Sequence, residues 1–267
     1  MQELSVSAQR SRPLPRRDVL RYAIAISALP ALYAASTTAT ARAVVGATPT
    51  LVDFAARQIP AQQIRAAGHS GVINYVSLSR PGSSMGAKPI TRSYAEQLTA
   101  AGLIIVSNYQ YGKPGGTAPS DFRRGFEGGV ADARTAWKLH TEAGGGQSAP
   151  IFFSIDEDIS HDTWKNLALK WFRGINSALG VQRTGVYGGI DVCRWAAADG
   201  VIGNSSTPGH RWAWQTKAWS RGQVDQAAVL YQRVVSTPSN PGPVVGGLQV
   251  DVNDVLAADC GQWNLHR

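Results

Sequence analysis

The chain has 267 residues, of which 43% are hydrophobic and 16% are charged. This composition is typical of a globular protein with a sizeable core and excludes a disordered or collagen-like chain. The formal net charge is +8, but six arginines and two acidic residues among the first 43 residues account for half of it. Beyond those residues the charge is mild, and no basic run with interleaved aromatic residues occurs. We therefore do not expect a nucleic-acid partner.

The first 43 residues have the order of a signal peptide. Arg16-Arg17 is a twin arginine, an Ala-rich apolar stretch follows, and Ala41-Arg42-Ala43 fits the small-x-small cleavage rule. We predict that residues 1–43 are read by the twin-arginine export machinery and removed, which makes the protein secreted or associated with the cell wall. The alternative is an uncleaved membrane anchor. No later segment approaches ~18 consecutive apolar residues, so we expect no membrane span in the mature chain.

The mature chain, residues 44–267, alternates short apolar strands with helical patterns. Eight strands are predicted, at residues 51–55, 71–77, 103–109, 150–155, 183–188, 212–216, 228–234 and 247–254. Amphipathic or capped helices are predicted at residues 62–67, 93–101, 121–143, 164–179 and 191–198. Such alternation is typical of a parallel sheet, and eight units close into a barrel. The fold class is therefore α/β, a single (β/α)8 TIM-type barrel. Residues 221–226 are the only helix candidate between strands six and seven, so irregularity is expected there.

The fourth predicted strand runs into three carboxylates, Asp156-Glu157-Asp158. Barrels place their chemistry at the carboxyl ends of their strands. Neighbouring, partly buried carboxylates have raised pKa values, and an acid beside a base is the equipment of a glycoside hydrolase. The alternative is that these acids only complement the dipole of the helix that follows.

Other polar and aromatic residues stand at the predicted strand ends and would share one mouth with these acids. Two more carboxylates, Asp53 and Asp251, are candidates to orient or stabilise the reacting centre. Tyrosine hydroxyls, glutamine amides and indole faces suit sugar hydroxyls, acetamides and apolar sugar faces. The candidate substrate-binding residues are Tyr75, Tyr109, Tyr187, Trp214, Gln215 and Gln232.

We predict neither a metal nor a cofactor. The oxygen ligands that alternate from Asp156 to Asp162 begin like a calcium loop, but the glycine and the closing glutamate of that loop are missing. The histidines do not fall in paired zinc spacing. Cys193 and Cys260 lie in the fifth and eighth predicted units, which are not neighbours, so we expect no disulfide.

Several of these motifs together resemble a known family. They are the twin-arginine leader, Val52-Asp53-Phe54, the Ser154 to Asp158 strand, Trp214-Gln215 and Val250-Asp251-Val252-Asn253. They are similar to the glycoside-hydrolase-like barrels, exported proteins common in actinobacteria, and the resemblance covers essentially the whole mature chain. That family is similar to the family 25 lysozymes, which cleave the glycan strands of peptidoglycan. The resemblance implies carboxylate acid/base hydrolysis of peptidoglycan or another cell-envelope glycan.

One departure from the lysozyme pattern leaves two hypotheses open. In those lysozymes the fourth strand ends Asp-x-Glu and the glutamate is the general acid, whereas this chain has Asp156-Glu157-Asp158. The protein is either a peptidoglycan glycosidase, with Asp156 and Asp158 facing the mouth and Glu157 acting as the acid or behind it, or a glycan-binding barrel that has lost the chemistry.

Overall fold

The computed structural model describes residues 48–265, so the predicted leader lies outside the described residues. Eight strands form a closed barrel, which confirms the predicted TIM-type architecture. The strands are β1 (Thr50–Asp53), β2 (Gly71–Tyr75), β3 (Ile104–Tyr109), β4 (Ile151–Ser154), β5 (Thr184–Gly188), β6 (Arg211–Thr216), β7 (Ala228–Val234) and, after a two-stranded hairpin of β8 (Val244–Val245) and β9 (Leu248–Gln249), β10 (Asp251–Val255).

Helices surround the wall between β1 and β6. They are α1 (Ala61–Ala66), α2 (Arg92–Ala100), α3 (Gly125–Ala143), α4 (His161–Thr163), α5 (Leu169–Leu179) and α6 (Ile190–Ala198), with a π-helical stretch over Trp164–Ala168. Helix α2 begins one residue before the predicted start at residue 93, because Thr91 is extended and its Oγ1 accepts from the backbone N–H of Tyr94. No helix joins β6 to β7, so the helix candidate at residues 221–226 is not a helix and the barrel is irregular there. Among residues 48–265 no helix is long and apolar enough to cross a membrane.

Side chains alternate between the barrel interior and the helix layer, because successive residues of a strand point to opposite faces. Interior residues form one buried cluster, which contains Leu51, Ile73, Val106, Phe152, Trp212 and Trp214. The residues next to them in sequence join a second cluster with the helices, which contains Val52, Val72, Ile105, Phe153 and Ala213. Trp212 and Trp214 therefore point the same way, into the barrel. This alternation decides which strand-end residues reach the mouth.

The barrel departs from the expected all-parallel order at its last strand. The single predicted strand at residues 247–254 is broken after Gln249, and β10 runs antiparallel to both β1 and β7. The cause is the hairpin of β8 and β9, whose Gly246 and Gly247 have φ of 56° and 73°, the positive values that a tight two-residue turn requires. The hairpin lines the cavity at the mouth, so β10 starts there and places its first residue, Asp251, opposite Asp53.

Two glycines allow α3 and α5 to touch through their backbones. A Cβ atom on Gly129 would lie 2.0 Å from the carbonyl oxygen of Trp171, and one on Gly174 would lie 2.0 Å from that of Phe126. Gly129 lowers the helix propensity of α3, but its missing side chain is what lets α5 approach. The same contact carries the buried Trp171 ring against the outside of β4, where it meets Phe153 edge-on.

We expect Gly129→Ala to destabilise the protein, although alanine normally stabilises a helix by ~1 kcal/mol relative to glycine. The added methyl group must push backbone apart, which costs about 1–3 kcal/mol by overpacking. Urea denaturation measures the free energy of unfolding. Gly146→Ala is the matched control, because a Cβ there meets nothing within 4 Å. Equal stability of the two variants would contradict the close helix contact.

Candidate active site

A cavity of about 840 Å³ opens at the mouth of the barrel, within the size range of ligand sites in proteins. Its wall holds three carboxylates, Asp53, Asp156 and Asp251. Aromatic and amide side chains from the strand ends line it with them, namely Tyr75, Asn108, Gln110, Tyr187, Trp214 and Gln232. Loop residues Arg80, Lys88 and Lys113 add three positive charges.

Asp53 and Asp251 face each other across two strands. They are directly paired in the β1–β10 register, and opposite residues on one face of an antiparallel pair have Cβ atoms ~4.5–5.5 Å apart. The side-chain amide of Gln232 donates to both, at 3.2 Å to Asp53 Oδ2 and 2.9 Å to Asp251 Oδ2. The backbone N–H of Ser236 donates to Asp251 Oδ1 at 2.7 Å. The two carboxyls are therefore held together as one unit.

Side chains deeper in the barrel hold the two carboxyls and Gln232 in place. Asn253 Nδ2 donates to Asp53 Oδ2 at 2.7 Å, and Asn253 Oδ1 accepts from Trp214 Nε1 at 2.7 Å. Tyr187 donates its hydroxyl proton to Gln232 Oε1 at 2.7 Å. The amide orientations of Gln232 and Asn253 follow from these contacts, because each amide has a defined donor and a defined acceptor. The floor of the cavity is thus a buried network with little freedom to rearrange.

The pKa values of both carboxyls in this pair are raised, which favours their protonated forms. Burial raises the pKa of Asp53 to about 6, against the lowering effect of the hydrogen bonds from Asn253 and Gln232. Burial and the charge of Asp53 raise the pKa of Asp251 to about 8. Because the two groups are so close, they titrate as a pair, and the second proton is held into the neutral range. At neutral pH the pair carries about one proton and one negative charge.

Asp156 approaches the cavity from another side. It follows Phe152 and Ser154 at two-residue spacing, so it continues the inward face of β4. Gln110 Nε2 donates to Asp156 Oδ2 at 2.8 Å. Burial raises the pKa of Asp156, while the hydrogen bond from Gln110 and the charges of Lys113 and Lys88 oppose the rise. This carboxyl can hold or release a proton inside the cavity.

The other two acids of the motif lie outside the cavity, which corrects the expectation for Asp158. Glu157, the residue after Asp156, points the opposite way. Its carboxylate accepts hydrogen bonds from Ser120 Oγ and from Arg123 Nη2, the latter at 2.7 Å. Strand β4 ends at Ser154, and the turn that follows leaves Asp158 exposed. Neither residue lines the cavity.

Two predicted substrate-binding residues also point away from the mouth. Tyr109 is next to the inward-facing Asn108, and its hydroxyl donates to Asp132 of α3 at 2.6 Å. Gln215 is next to Trp214, and its amide bonds the backbone of Gln223 and Asp225, each at 2.7 Å. The strand alternation that brings their neighbours inward sends these two side chains into the helix and loop layer.

The remaining predicted residues line the cavity, namely Tyr75, Tyr187, Trp214 and Gln232. Residues that the sequence reading missed are Asn108, Ser154 and Gln110, and the cations of the loops after β2 and β3. Asn108 and Ser154 follow the inward-facing Val106 and Phe152 by two residues, so the period of a strand predicts that they face the mouth. The loop residues had no periodic signal. Both cysteines, Cys193 and Cys260, are buried free thiols, as expected.

We expect the free energy of unfolding to fall as pH rises from about 5 to about 8. The folded pKa values of Asp53 and Asp251 lie above the usual value of ~3.9, so the unfolded chain loses these protons first and stability is lost with rising pH, by up to ~1.4 kcal/mol per pH unit for each proton. Urea titrations across this range measure the slope. Asp251→Asn should flatten it, whereas Asp158→Asn should leave it as in wild type. An unchanged slope in Asp251→Asn would contradict the paired titration.

The sequence matches a known protein family and a known relative. The model of the Rv2525c-like, glycoside hydrolase-like domain matches residues 62–255. The chain is 43% identical over 250 residues to Rv2525c of Mycobacterium tuberculosis, a protein named as a candidate peptidoglycan hydrolase, and the match covers 93% of this chain and 98% of that one.

Two solved structures share the fold of this chain. The crystal structure of the Tat-secreted Rv2525c in complex with L-tartrate has a TM-score of 0.72 at 44% identity, covering 81% of this chain and all of that one. The spore cortex lytic enzyme SleM of Clostridium perfringens, at 11% identity and a TM-score of 0.52, covers 78% of this chain and 67% of that one and shares the fold. By family match, by identity and by structure, the chain belongs to the Rv2525c-like, glycoside hydrolase-like domain family.

Proposed function

We propose that this protein is an exported glycoside hydrolase that acts on the glycan strands of cell-wall peptidoglycan. The observation that carries the proposal is the set of three carboxyls with raised pKa values, Asp53, Asp156 and Asp251, around one cavity lined by aromatic and amide side chains. Hydrolysis of a glycosidic bond needs a carboxylic acid and a carboxylate on either side of the reacting sugar. The relative named as a candidate peptidoglycan hydrolase supports the substrate class.

The three carboxyls can divide the chemistry between them. Asp156, held through one oxygen by Gln110, is the group we assign to protonate the leaving oxygen. The Asp53–Asp251 pair holds one negative charge at neutral pH, which can stabilise the positive charge that develops on the sugar ring. Tyr75, Tyr187, Trp214 and Gln232 form the cavity wall around these carboxyls, against which the substrate would lie. Glu157 and Asp158 have no direct role in this assignment.

The chain organisation is part of the proposal. We assign residues 1–43 to a twin-arginine signal peptide and residues 44–267 to one mature domain that is secreted or associated with the cell wall. The Tat-secreted relative, whose crystallised chain aligns with 81% of this one at 44% identity, supports export.

A second function, glycan binding without hydrolysis, is favoured by one observation. The position at which the family 25 lysozymes carry their glutamate holds Asp158, which is exposed and outside the cavity. A barrel of this kind would keep the cleft and its affinity for glycan while releasing no products. The two functions make opposite predictions for a digest.

We expect the mature protein to release new reducing-end sugars from purified peptidoglycan, read by mass spectrometry. Asp156→Asn should lower the rate ~10²–10⁴-fold, the usual effect of removing a general acid. Asp158→Asn, a substitution of the same type two residues away, is the matched control and should stay within about twofold of wild type.

Either of two results would contradict the assignment. An equal loss of product release in Asp156→Asn and Asp158→Asn would show that Asp156 is not the general acid. No products from wild type, with the protein still sedimenting with insoluble peptidoglycan, would replace the hydrolase with the glycan-binding function.

A further inference from the structure

Three cations on one side of the cavity have no carboxylate at ion-pair distance among residues 48–265. They are Arg80 and Lys88, from the loop after β2, and Lys113, from the loop after β3. Arg80 is only 7% exposed and Lys88 only 9% exposed. Arginine and lysine are rarely this buried without a charged partner. Their position on a cavity wall indicates that the partner comes from outside the chain.

The contacts of these side chains are to neutral groups. Arg80 Nη1 donates to the backbone carbonyl of Tyr111 at 2.8 Å, and Lys88 Nζ donates to that of Gln110 at 2.9 Å. The Lys88 ammonium also lies 3.8 Å from the centre of the Tyr75 ring. These contacts orient both cations and satisfy part of their hydrogen-bonding capacity. None of these contacts is an ion pair.

The charges on the cavity wall also favour an anionic ligand. Its wall has three acids and three bases, but burial keeps Asp251, with a pKa of about 8, protonated at neutral pH. Burial and the charge of Arg80 lower the pKa of Lys88 to about 8, and the charges of Asp121 and Asp156 offset this only in part. An anionic group of a ligand beside Lys88 would offset the charge of Arg80 and raise the pKa of Lys88 again.

These cations lie next to the proposed acid. The backbone carbonyl of Gln110 accepts from Lys88, while the side-chain amide of Gln110 donates to Asp156. A sugar that presents its glycosidic oxygen to Asp156 would therefore bring an adjoining substituent to Lys88 and Lys113. Lys113 is exposed at the rim and Lys88 is deeper, so together they form a path for a charged substituent.

We propose that Arg80, Lys88 and Lys113 form a subsite for a carboxylate carried by the glycan substrate, beside the sugar held at Asp156. This rests on the proposed function and narrows it, because the substrate class becomes an acidic glycan. In peptidoglycan the carboxylate can belong to the lactyl group of the sugar itself or to the attached peptide. Both sources offer the same planar anion, which suits the arginine fork and the lysine ammonium groups.

The test is calorimetric titration of the mature protein with three defined probes. N-acetylmuramic acid carries the lactyl carboxylate, N-acetylglucosamine lacks it, and N-acetylmuramoyl-L-alanyl-D-isoglutamine carries its carboxylate on the peptide. Charge-assisted hydrogen bonds favour an acidic probe by about tenfold or more over N-acetylglucosamine. The better of the two acidic probes identifies the source of the carboxylate.

Variants locate the preference on these residues. Lys113→Gln, at an exposed position that does not endanger folding, and Lys88→Met should each lower the preference at least about threefold. Lys170→Gln, an exposed lysine outside the cavity, is the charge-matched control and should retain it. Equal affinity for acidic and neutral probes, binding of none of them, or a preference that survives both cavity variants would overturn the subsite.

The subsite and the hydrolase can fail separately. A preference for the acidic probes that persists in Asp156→Asn supports the subsite whatever the digest shows. Product release from peptidoglycan without any preference supports the hydrolase and overturns the subsite.

Discussion

The mouth of this barrel depends on one side-chain amide, that of Gln232. Its nitrogen donates to Asp53 and Asp251, and its oxygen accepts from Tyr187. Two carboxyls from opposite positions of an antiparallel pair repel when both are charged, and the amide offsets this by giving each a donor. With Asn253 and Trp214 below, every member of the network is paired, and all but the half-buried Asp251 are buried. Such networks are rigid when every member is satisfied, so the cavity keeps its shape without a ligand.

Much of the barrel could be predicted, because buried strands and amphipathic helices have different periods in the sequence. The predicted strand at residues 228–234 has the same bounds as β7, and the irregularity between β6 and β7 was expected. The same two-residue period also separates neighbouring site candidates, because consecutive strand residues point to opposite faces. Trp214 and Gln215 are consecutive in one strand, so only one of them could face the mouth.

Two features could not be derived from local patterns. The direction of β10 depends on the glycine turn before it and on pairing with β1, about 200 residues away in sequence. Asp251 was therefore chosen as a strand end, although it is a strand start and reaches the mouth only because the strand is reversed. The loop cations Arg80, Lys88 and Lys113 belong to segments without periodicity, and only the tertiary structure brings them to the cavity.

The reversed closing strand also determines when the site can exist. Strand β1 pairs on one side with β10, so Asp53 and Asp251 meet only after the about 200 residues between them have left the ribosome. Contacts of such large sequence separation form late, because the entropy of closing the loop must be overcome first. During synthesis, the strands made early have a free edge and an incomplete cavity floor. The final strand supplies both the missing wall and the second carboxyl, so barrel closure and assembly of the site are a single folding event.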